Sequence, residues 1–478
     1  MMLGNRDVDE VVEYPLKGGR VKSDLLKKIK KQTTLHDRND PTHKITRMEN
    51  SNFTASDFMD LEARFGAHNY HPLPVVLDRG EGVFVWDVNG KKYFDFLSAY
   101  SAVNQGHCHP RIVESLVEQA RRLTLTSRAF YNSQLGRYEK FVTRFFGYDK
   151  VLPMNTGAEA VETAIKLCRK WAYEKKCLPD NSAMMVVCEN NFHGRTTTIV
   201  SFSVDHDAYN HYGPYTPGFI VIPYNNADAL EKVLLENQNI AGFLVEPIQG
   251  EAGAYVPDDG YLKKCYDLCH RHNVLFIADE VQTGIARTGK LLACDYEEVH
   301  PDILILGKAL SGGVYPVSAV LADNDIMEVI QPGQHGSTFG GNPVAAAVAV
   351  TALEVIRDEH LAEKAYELGV IFRAEMRKLC DHSSIASSVR GKGLLNALVI
   401  HNEGNTNLAW EICVRMIDRG LLAKPTHTNI IRFAPPLVIT KTQLLECVYI
   451  INRTIHDFEN NLYGVVFNEK TTVEQRMT

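Results

Sequence analysis

The chain has 478 residues, of which 45% are hydrophobic and 23% are charged, and its net charge at pH 7 is −7. This length predicts about two or three domains with a large core, and the acidic balance gives no reason to expect nucleic acid as a partner. No apolar run approaches the roughly 18 residues of a membrane span. The ten cysteines form no CxxC pair, which argues against a zinc site and a secreted disulfide framework.

The N-terminal residues 1–50 are polar, with an acidic start and a lysine-rich stretch from 22 to 31. A mitochondrial presequence is rich in arginine and poor in acids, and a secretory signal contains an apolar core. This segment matches neither pattern, so we expect a flexible extension. The expected location is the cytoplasm, with the mitochondrial matrix as the alternative.

Residues 51–109 are expected to form an N-terminal segment that contains a β-hairpin. Ser56 or Asp57 is a candidate cap for the first helix. Two alternating strands flank Asn89-Gly90, which is a strong hairpin signal. A helix is expected from Pro110 to Leu123, because proline suits the first turn of a helix.

His107-Cys108-His109 could suggest a metal site. Adjacent residues of an extended strand point to opposite faces, however, and no second cluster of ligand residues follows. We therefore predict no metal site here.

Strands and helices alternate from residue 110 onward, which predicts an α/β fold with a mostly parallel sheet. We assign residues 110–357 to a large domain, 358–460 to a smaller α+β C-terminal domain and 461–478 to a polar tail. The expected strands are Ala183 to Cys188, Phe219 to Pro223, Gly242 to Glu246, Val274 to Ala278, Ile303 to Leu306 and Val317 to Ala322. The expected helices include Ala158 to Tyr173, Ala227 to Glu236, Gly260 to His272 and Val344 to Arg357.

Two of these strands end in polar residues that would share one edge of a parallel sheet, where α/β proteins place their ligands. Asp279 follows the first strand and Lys308 follows the second. One interpretation is a buried structural ion pair. A phosphate-binding Walker loop does not fit, because Ala309 follows the lysine and Asp302 replaces the first glycine. The third interpretation is a pyridoxal 5′-phosphate (PLP) site, in which a lysine holds the cofactor and an acid pairs with its pyridine nitrogen.

Met154-Asn155-Thr156-Gly157-Ala158 leads directly into a helix. The free N–H groups of a helix N-terminus can bind phosphate. An ordinary threonine-capped helix remains the alternative on this stretch alone.

Five stretches, taken together and in order, resemble the class III, or ω-, aminotransferases, and the resemblance covers roughly residues 58–458. Further segments at 66–75, 98–110, 125–132 and 420–427 resemble most closely the family members that act on ornithine. The resemblance implies a fold type I PLP-dependent transferase that works as a homodimer. The five stretches are residues 156–158, 246–251, 279–284, 307–308 and 336–343.

The resemblance assigns the chemistry of the cofactor to three residues. Lys308 is expected to hold PLP as a Schiff base and to move the proton of the reaction. A lysine can do so only when part of it is neutral, so its pKa should be lowered. Asp279 is expected to pair with the pyridine nitrogen, and Gln282 with the phenolic oxygen.

The remaining cofactor contacts that the resemblance implies are structural. Phe192 is expected to stack on the ring face, and Gly157 and Ala158 to donate backbone N–H groups to the phosphate. Thr338 is expected to reach the phosphate in the neighbouring subunit, so that each active site needs the dimer.

The resemblance also implies two substrates, L-ornithine and 2-oxoglutarate, which yield glutamate 5-semialdehyde and glutamate. Arg195 offers a fork for the α-carboxylate of ornithine, assisted by Tyr70, and Tyr100 favours ornithine over γ-aminobutyrate. Arg432 is expected to hold 2-oxoglutarate, and Glu251 to neutralise Arg432 in the other half-reaction, since an unpaired buried charge is costly. The alternatives are an aminotransferase for acetylornithine or γ-aminobutyrate, or a non-catalytic protein of the same fold.

Cys168 and Cys177 lie nine positions apart, near the end of the helix that follows Thr156. In an unbroken helix the two side chains would face opposite ways. If the helix ends near Lys175, a disulfide acting as a redox switch becomes a hypothesis. The alternative is two unrelated thiols, one in the core and one in a loop, because disulfides are rare in reducing compartments.

Overall fold

The structure is a computed structural model that describes residues 53–401 and 407–460. The predicted extension at 1–50 and the predicted tail at 461–478 lie outside these described residues. The chain separates into two compact units, residues 1–67 and 68–478. No helix in the described part is long and apolar enough to cross a membrane.

The first unit contains one described helix, α1 (Ala55–Phe65). Thr54 caps it, and not Ser56 or Asp57 as predicted. The Thr54 hydroxyl accepts from the Asp57 N–H at 3.3 Å, and the Asp57 carboxylate accepts from the Thr54 N–H at 2.7 Å. This reciprocal capping box places the acidic residue one turn inside the helix, which explains the misplaced prediction.

The second unit begins with a small antiparallel sheet of β1 (Leu77–Glu81), β2 (Phe84–Asp87) and β3 (Lys92–Asp95). The predicted hairpin is confirmed, since β2 and β3 pair across Asn89-Gly90. Gly90 has a φ of 82°, a value that glycine adopts without strain.

In the described residues the central sheet has seven strands, and β10 runs in the opposite direction to the other six. The predicted, mostly parallel sheet is therefore confirmed. β4 was not predicted, because Pro153 interrupts its pattern. It lies at the edge of the sheet, where proline is tolerated. The strands, in the order of the sheet, are β4 (Lys150–Met154), β10 (Ser318–Ala322), β9 (Ile303–Leu306), β8 (Leu275–Asp279), β7 (Ile240–Val245), β5 (Met184–Cys188) and β6 (Phe219–Ile222).

Helices cover both faces of this sheet, which is why its middle strands read as continuous apolar runs. After α2 (Pro110–Arg122) and α3 (Leu135–Phe146), α4 (Gly157–Glu174) packs on one face against β7, β9 and β10. On the other face, α5 (Ala227–Glu236) packs against α6 (Tyr261–Arg271), which contacts β8. Shorter helical segments are Thr197–Val200, His206–Tyr209, Ala293–Glu297, Lys308–Ser311 and Asn324–Met327.

The C-terminal part contains a second antiparallel sheet and the remaining helices. The order of this sheet is β11 (Ala386–Lys392), β12 (Leu395–Ile400), β15 (Ile430–Phe433) and β14 (Lys424–Thr426), while β13 (Leu421–Leu422) joins β3. One apolar cluster contains residues from both sides of the predicted boundary at 357/358. The domain limits therefore stay predictions. The helices are α7 (Pro343–Asp358), α8 (Leu361–Cys380), α9 (Leu408–Asp418) and α10 (Lys441–Glu459).

The two cysteines near the end of α4 occupy different environments. The helix ends at Glu174 with Lys175 as its cap, as predicted. Cys168 is fully buried and Cys177 is exposed, and both are free thiols in the structure. Burial raises the pKa of the Cys168 thiol, which suppresses the reactive thiolate. The structure therefore supports the alternative of two separate thiols.

A close contact within the C-terminal part predicts a large effect of one added methyl group. A Cβ on Gly369, in α8, would lie 1.9 Å from the Gly393 carbonyl oxygen. Gly369→Ala is expected to lower the free energy of unfolding by about 1–3 kcal/mol, because a backbone atom cannot yield. The matched control is Gly136→Ala in α3, where the new Cβ meets nothing within 4 Å, and which should stabilise by up to about 1 kcal/mol. Urea unfolding of both variants tests this, and equal shifts would contradict it.

Candidate active site

The two polar strand ends predicted from the sequence lie at one edge of the central sheet. Asp279 is the last residue of β8, and Lys308 follows β9 after one glycine. β8 and β9 pair in parallel, with Asp279 opposite Ile305. The carboxylate and the lysine therefore emerge in the same direction, and Lys308 adopts a left-handed φ of 41°.

The surroundings of Lys308 favour its neutral form. Burial lowers the pKa of its amine to about 8, and Arg432 acts in the same direction. The carboxylates of Asp279, Glu251 and Glu246 oppose this shift. The neutral form of the amine is therefore much more populated near neutral pH than in an exposed lysine, as a lysine base or nucleophile requires.

Asp279 is held by a buried histidine that sequence reasoning missed. His193 Nδ1 lies 2.6 Å from Asp279 Oδ2, and Oδ1 accepts from the Val281 N–H. Burial disfavours the charged imidazole, but the hydrogen bond and charge of Asp279 outweigh it and raise the pKa of His193. Among the described residues His193 Nε2 has no hydrogen-bond partner. These hydrogen bonds fix the orientation of the Asp279 carboxylate.

Glu246 is a second residue that sequence reasoning left without a role. It follows β7, and its carboxylate accepts from the N–H of Phe192 at 2.8 Å and of Gly250 at 3.3 Å. Burial raises its pKa to about 7, partly offset by His193. Glu246 thus fixes the backbone at Phe192, whose ring is half-buried. Its position directly after a buried strand was the signal that could have found it.

The N-terminus of α4 lies at the same edge of the sheet. Thr156 caps it, accepting from the Glu159 N–H at 3.2 Å, while the Glu159 carboxylate accepts from the Asn155 and Thr156 N–H groups. The threonine cap is thus present. The first N–H groups of a helix have no acceptor within it, and those of Gly157 and Ala158 belong to this turn.

The predicted pair of Glu251 and Arg432 is brought together. Arg432 Nη1 and Nη2 donate to the two Glu251 carboxylate oxygens at 2.7 and 3.3 Å. The side chain of Arg432 is 5% exposed and that of Glu251 is 34% exposed, so the arginine is fixed in β15 and the glutamate is the freer partner. The Tyr100 ring lies 4.8 Å from the Arg432 guanidinium carbon.

The other predicted substrate residues are more open in the single chain. Arg195 is exposed, 3.9 Å from Asp205 and 5.8 Å from the Phe192 ring. Tyr70 is also exposed, as is Thr338 in the glycine-rich loop. A cavity of about 270 Å³ connects Phe192 and His193 with Glu251 and His427.

Gln282 is buried against the main chain of Gly250. A Cβ on Gly250 would lie 1.9 Å from Gln282 Oε1, so this glycine is required for the position of the glutamine. Gln282 lies three residues after Asp279, on the same strand-end loop. The structure thus gathers Lys308, Asp279 and Gln282 at one sheet edge.

Comparison with known proteins agrees with this geometry. The profile of the family described as Aminotransferase class-III matches residues 65–455. A protein of Drosophila melanogaster named "Ornithine aminotransferase, mitochondrial" is 61% identical over 394 residues, covering 82% of this chain and 90% of that protein.

Solved structures give the same family. The ornithine aminotransferase of Toxoplasma gondii is 46% identical with a TM-score of 0.84, covering 89% of this chain and 99% of that one. A structure named acetylornithine aminotransferase, from Elizabethkingia anophelis, is 63% identical with a TM-score of 0.79, covering 85% and 100%. The fold type I architecture predicted from the sequence is confirmed, and this chain belongs to the class-III aminotransferase family.

Proposed function

We propose that this protein transfers the δ-amino group of L-ornithine to 2-oxoglutarate, giving glutamate and glutamate 5-semialdehyde, which cyclises to pyrroline-5-carboxylate. The observation that carries the proposal is the Glu251–Arg432 pair beside Lys308. Arg432 can bind a substrate carboxylate, and Glu251 of the same chain can neutralise it when that carboxylate is absent. This arrangement suits an enzyme with two alternating substrates of different charge. The names of the relatives support the same substrate.

PLP is the cofactor that we propose for this site, and the residues present fit it. Lys308 has the lowered pKa that a covalent attachment needs, and the hydrogen bond from His193 orients the Asp279 carboxylate that would pair with the pyridine nitrogen. The N-terminus of α4 offers N–H groups at Gly157 and Ala158 for a phosphate. When bound, PLP supplies an electron sink for the bond changes at the substrate carbon.

The side chains around that site divide the remaining work. With the cofactor bound, Lys308 would take a proton from the substrate carbon that bears the reacting nitrogen and deliver the same proton to the cofactor. Phe192, held by Glu246, would cover one face of the cofactor ring. Gln282, held against Gly250, would donate to the phenolic oxygen.

Substrate choice follows from the two carboxylate grips. Ornithine has one carboxylate, for which we propose Arg195 and Tyr70, and this keeps its α-amine away from Lys308. Arg432 stays paired with Glu251 during this half-reaction. For 2-oxoglutarate the more exposed Glu251 moves aside, and Arg432 takes the second carboxylate. Among the described residues Arg432 Nε has no hydrogen-bond partner, which leaves a further donor for a ligand.

The lowered pKa of Lys308 predicts a pH dependence. Its neutral fraction rises with pH, reaches one half at a pH of about 8 and levels off well below the ordinary lysine pKa. The rate of covalent capture of PLP by cofactor-free protein, trapped by borohydride, is expected to follow the same curve. A rate that continues to rise up to the ordinary lysine pKa of about 10.4 would contradict the burial of this amine.

Acetylornithine is the second candidate substrate, because one similar structure bears that name. An acetylated α-nitrogen carries no charge, whereas the Tyr70 and Tyr100 hydroxyls suit a charged α-amine and carboxylate. A panel of ornithine, acetylornithine, γ-aminobutyrate and lysine with 2-oxoglutarate tests the choice. We expect ornithine to have the highest kcat/KM. A preference for acetylornithine would overturn the proposal. If none of the amines shifts the absorbance band of the bound cofactor, a non-catalytic protein would be favoured.

We also propose a homodimer with shared active sites. Thr338 and the neighbouring Phe339 are exposed in the single chain, and so are Phe130 and Tyr131. Exposed aromatic residues of this kind mark interaction surfaces. Sedimentation should give twice the mass of the chain. Several relatives are named as mitochondrial, which favours the mitochondrion over the expected cytoplasm, and cell fractionation tests that location.

A further inference from the structure

Arg287 is the largest fully buried side chain among the described residues, and its hydrogen bonds have no carboxylate acceptor. Its Nε and Nη2 donate to Asn104 Oδ1 at 3.1 and 2.6 Å. Its Nη1 donates to the carbonyl oxygens of Leu394 at 3.0 Å and Pro435 at 2.7 Å. Burial lowers the pKa of this guanidinium to about 9, opposed by the charge of Asp95. Burying a cation without a carboxylate partner costs stability. The segments that Arg287 links therefore indicate its role.

The acceptors of Arg287 lie on segments next to Arg432 and Tyr100. Pro435 follows Arg432 by three residues at the end of β15. Leu394 directly precedes β12, the strand that pairs with β15 at Ala397 and Arg432. The guanidinium therefore holds the end of the strand that carries Arg432.

Asn104 ties the Tyr100 turn to the same point. Its side-chain Nδ2 donates to the Ile285 carbonyl oxygen at 2.8 Å, and its backbone carbonyl oxygen accepts from the Leu437 N–H at 2.8 Å. The preceding turn, Ser98–Ser101, has four consecutive left-handed φ values, between 45° at Ala99 and 75° at Ser101. Such backbone persists only when surrounding contacts enforce it.

Arginine is the residue type that suits this junction. Its planar guanidinium donates in fixed directions to acceptors on opposite sides. The compact ammonium of a lysine, on its flexible side chain, cannot reproduce this geometry. Arg287 also lies eight residues after Asp279, on the loop that carries Gln282. It thus joins the cofactor side of the site to the substrate side.

We infer that Arg287 is a positioning residue for the second substrate, which sets Arg432 and the Tyr100 ring at the place where the dicarboxylate binds. This inference rests on the proposed function. Arg287 contacts neither substrate nor cofactor. It acts by holding the strand end and the turn, so its loss should weaken the 2-oxoglutarate half-reaction far more than the ornithine half-reaction.

The test uses Arg287→Lys, which keeps the charge but loses the fork, and Arg287→Gln, which keeps an amide donor without a buried charge. The control is Arg419→Lys. It weakens the hydrogen bond of 2.6 Å between Arg419 and Asp457, which lies outside the active site. The ornithine half-reaction is measured by single turnover of the PLP-loaded enzyme. The 2-oxoglutarate half-reaction is measured by single turnover of enzyme loaded with the amine form of the cofactor, pyridoxamine 5′-phosphate. Melting temperature is measured in parallel, so that variants of equal stability are compared. Binding of glutarate, an unreactive dicarboxylate, is titrated as a readout that needs no turnover.

We expect the second-order rate constant with 2-oxoglutarate to fall on the order of 100-fold, as small misplacements of binding groups do, while that with ornithine changes little. Glutarate binding should weaken in the same variants and not in Arg419→Lys. Equal losses in both half-reactions, or glutarate affinity equal to wild type, would overturn the inference. If the wild type does not use ornithine, the proposed function fails, and glutarate binding still decides the role of Arg287.

Discussion

Replacement of Lys308 by alanine is expected to reduce turnover by about 10²–10⁴-fold, the contribution that a positioned general base makes. The reason is structural as well as chemical. Lys308 is the amine that burial and Arg432 keep partly neutral, next to Asp279 at the same sheet edge. The measurement is the steady-state rate with ornithine and 2-oxoglutarate at saturating PLP.

The matched control is Lys290→Ala, which removes an exposed lysine whose ammonium donates to the Asp295 carbonyl. It should retain full activity. Borohydride reduction of the wild-type protein with PLP, followed by peptide mass mapping, should label Lys308. A label on another lysine, or residual activity of Lys308→Ala near that of the control, would refute the assignment.

Replacement of Arg432 by alanine is expected to weaken the 2-oxoglutarate half-reaction by about 2–5 kcal/mol, the usual cost of losing one partner of a buried charge pair. This corresponds to roughly 30-fold to several thousand-fold. Arg432 is 5% exposed and pairs through both terminal nitrogens with Glu251. The ornithine half-reaction should suffer less, because Arg432 is occupied by Glu251 during that step.

Arg195→Ala provides the reciprocal comparison. It should impair the ornithine half-reaction more than the other, and by a smaller factor, since Arg195 is exposed in the single chain. Stopped-flow single turnovers with each substrate separate the two steps. If both variants damage both half-reactions equally, the two grips are not divided as proposed.

The strand ends that build the site could be predicted because their signals are local. Continuous apolar runs before Asp279 and Lys308 indicate strands buried on both faces, and parallel pairing then places both residues at one edge. Thr156, directly before a helical pattern, is likewise a local signal, because threonine is a preferred N-cap residue. The identities of Gln282, Arg432 and Glu251 came from the family resemblance and not from pattern alone.

The residues that sequence reasoning missed depend on contacts between distant segments. His193 reaches Asp279 from a loop after β5, and Glu246 reaches Phe192 from the end of β7. No local periodicity encodes these pairings. Arg287 reads as an ordinary charged loop residue, and only the folded chain reveals that it is fully buried. The hypothesis of a disulfide at Cys168 fails to gain support for the same reason, since the burial of that thiol is a tertiary property.

The central claim is that the δ-nitrogen of ornithine, and not the α-nitrogen, is transferred. The most direct measurement uses two ornithine samples, each carrying ¹⁵N at only one of the two positions, incubated with the PLP-loaded protein and 2-oxoglutarate. The claim predicts that glutamate acquires ¹⁵N from the δ-labelled sample and none from the α-labelled one. Glutamate labelled from the α-position, or no labelled glutamate from either sample, would contradict it.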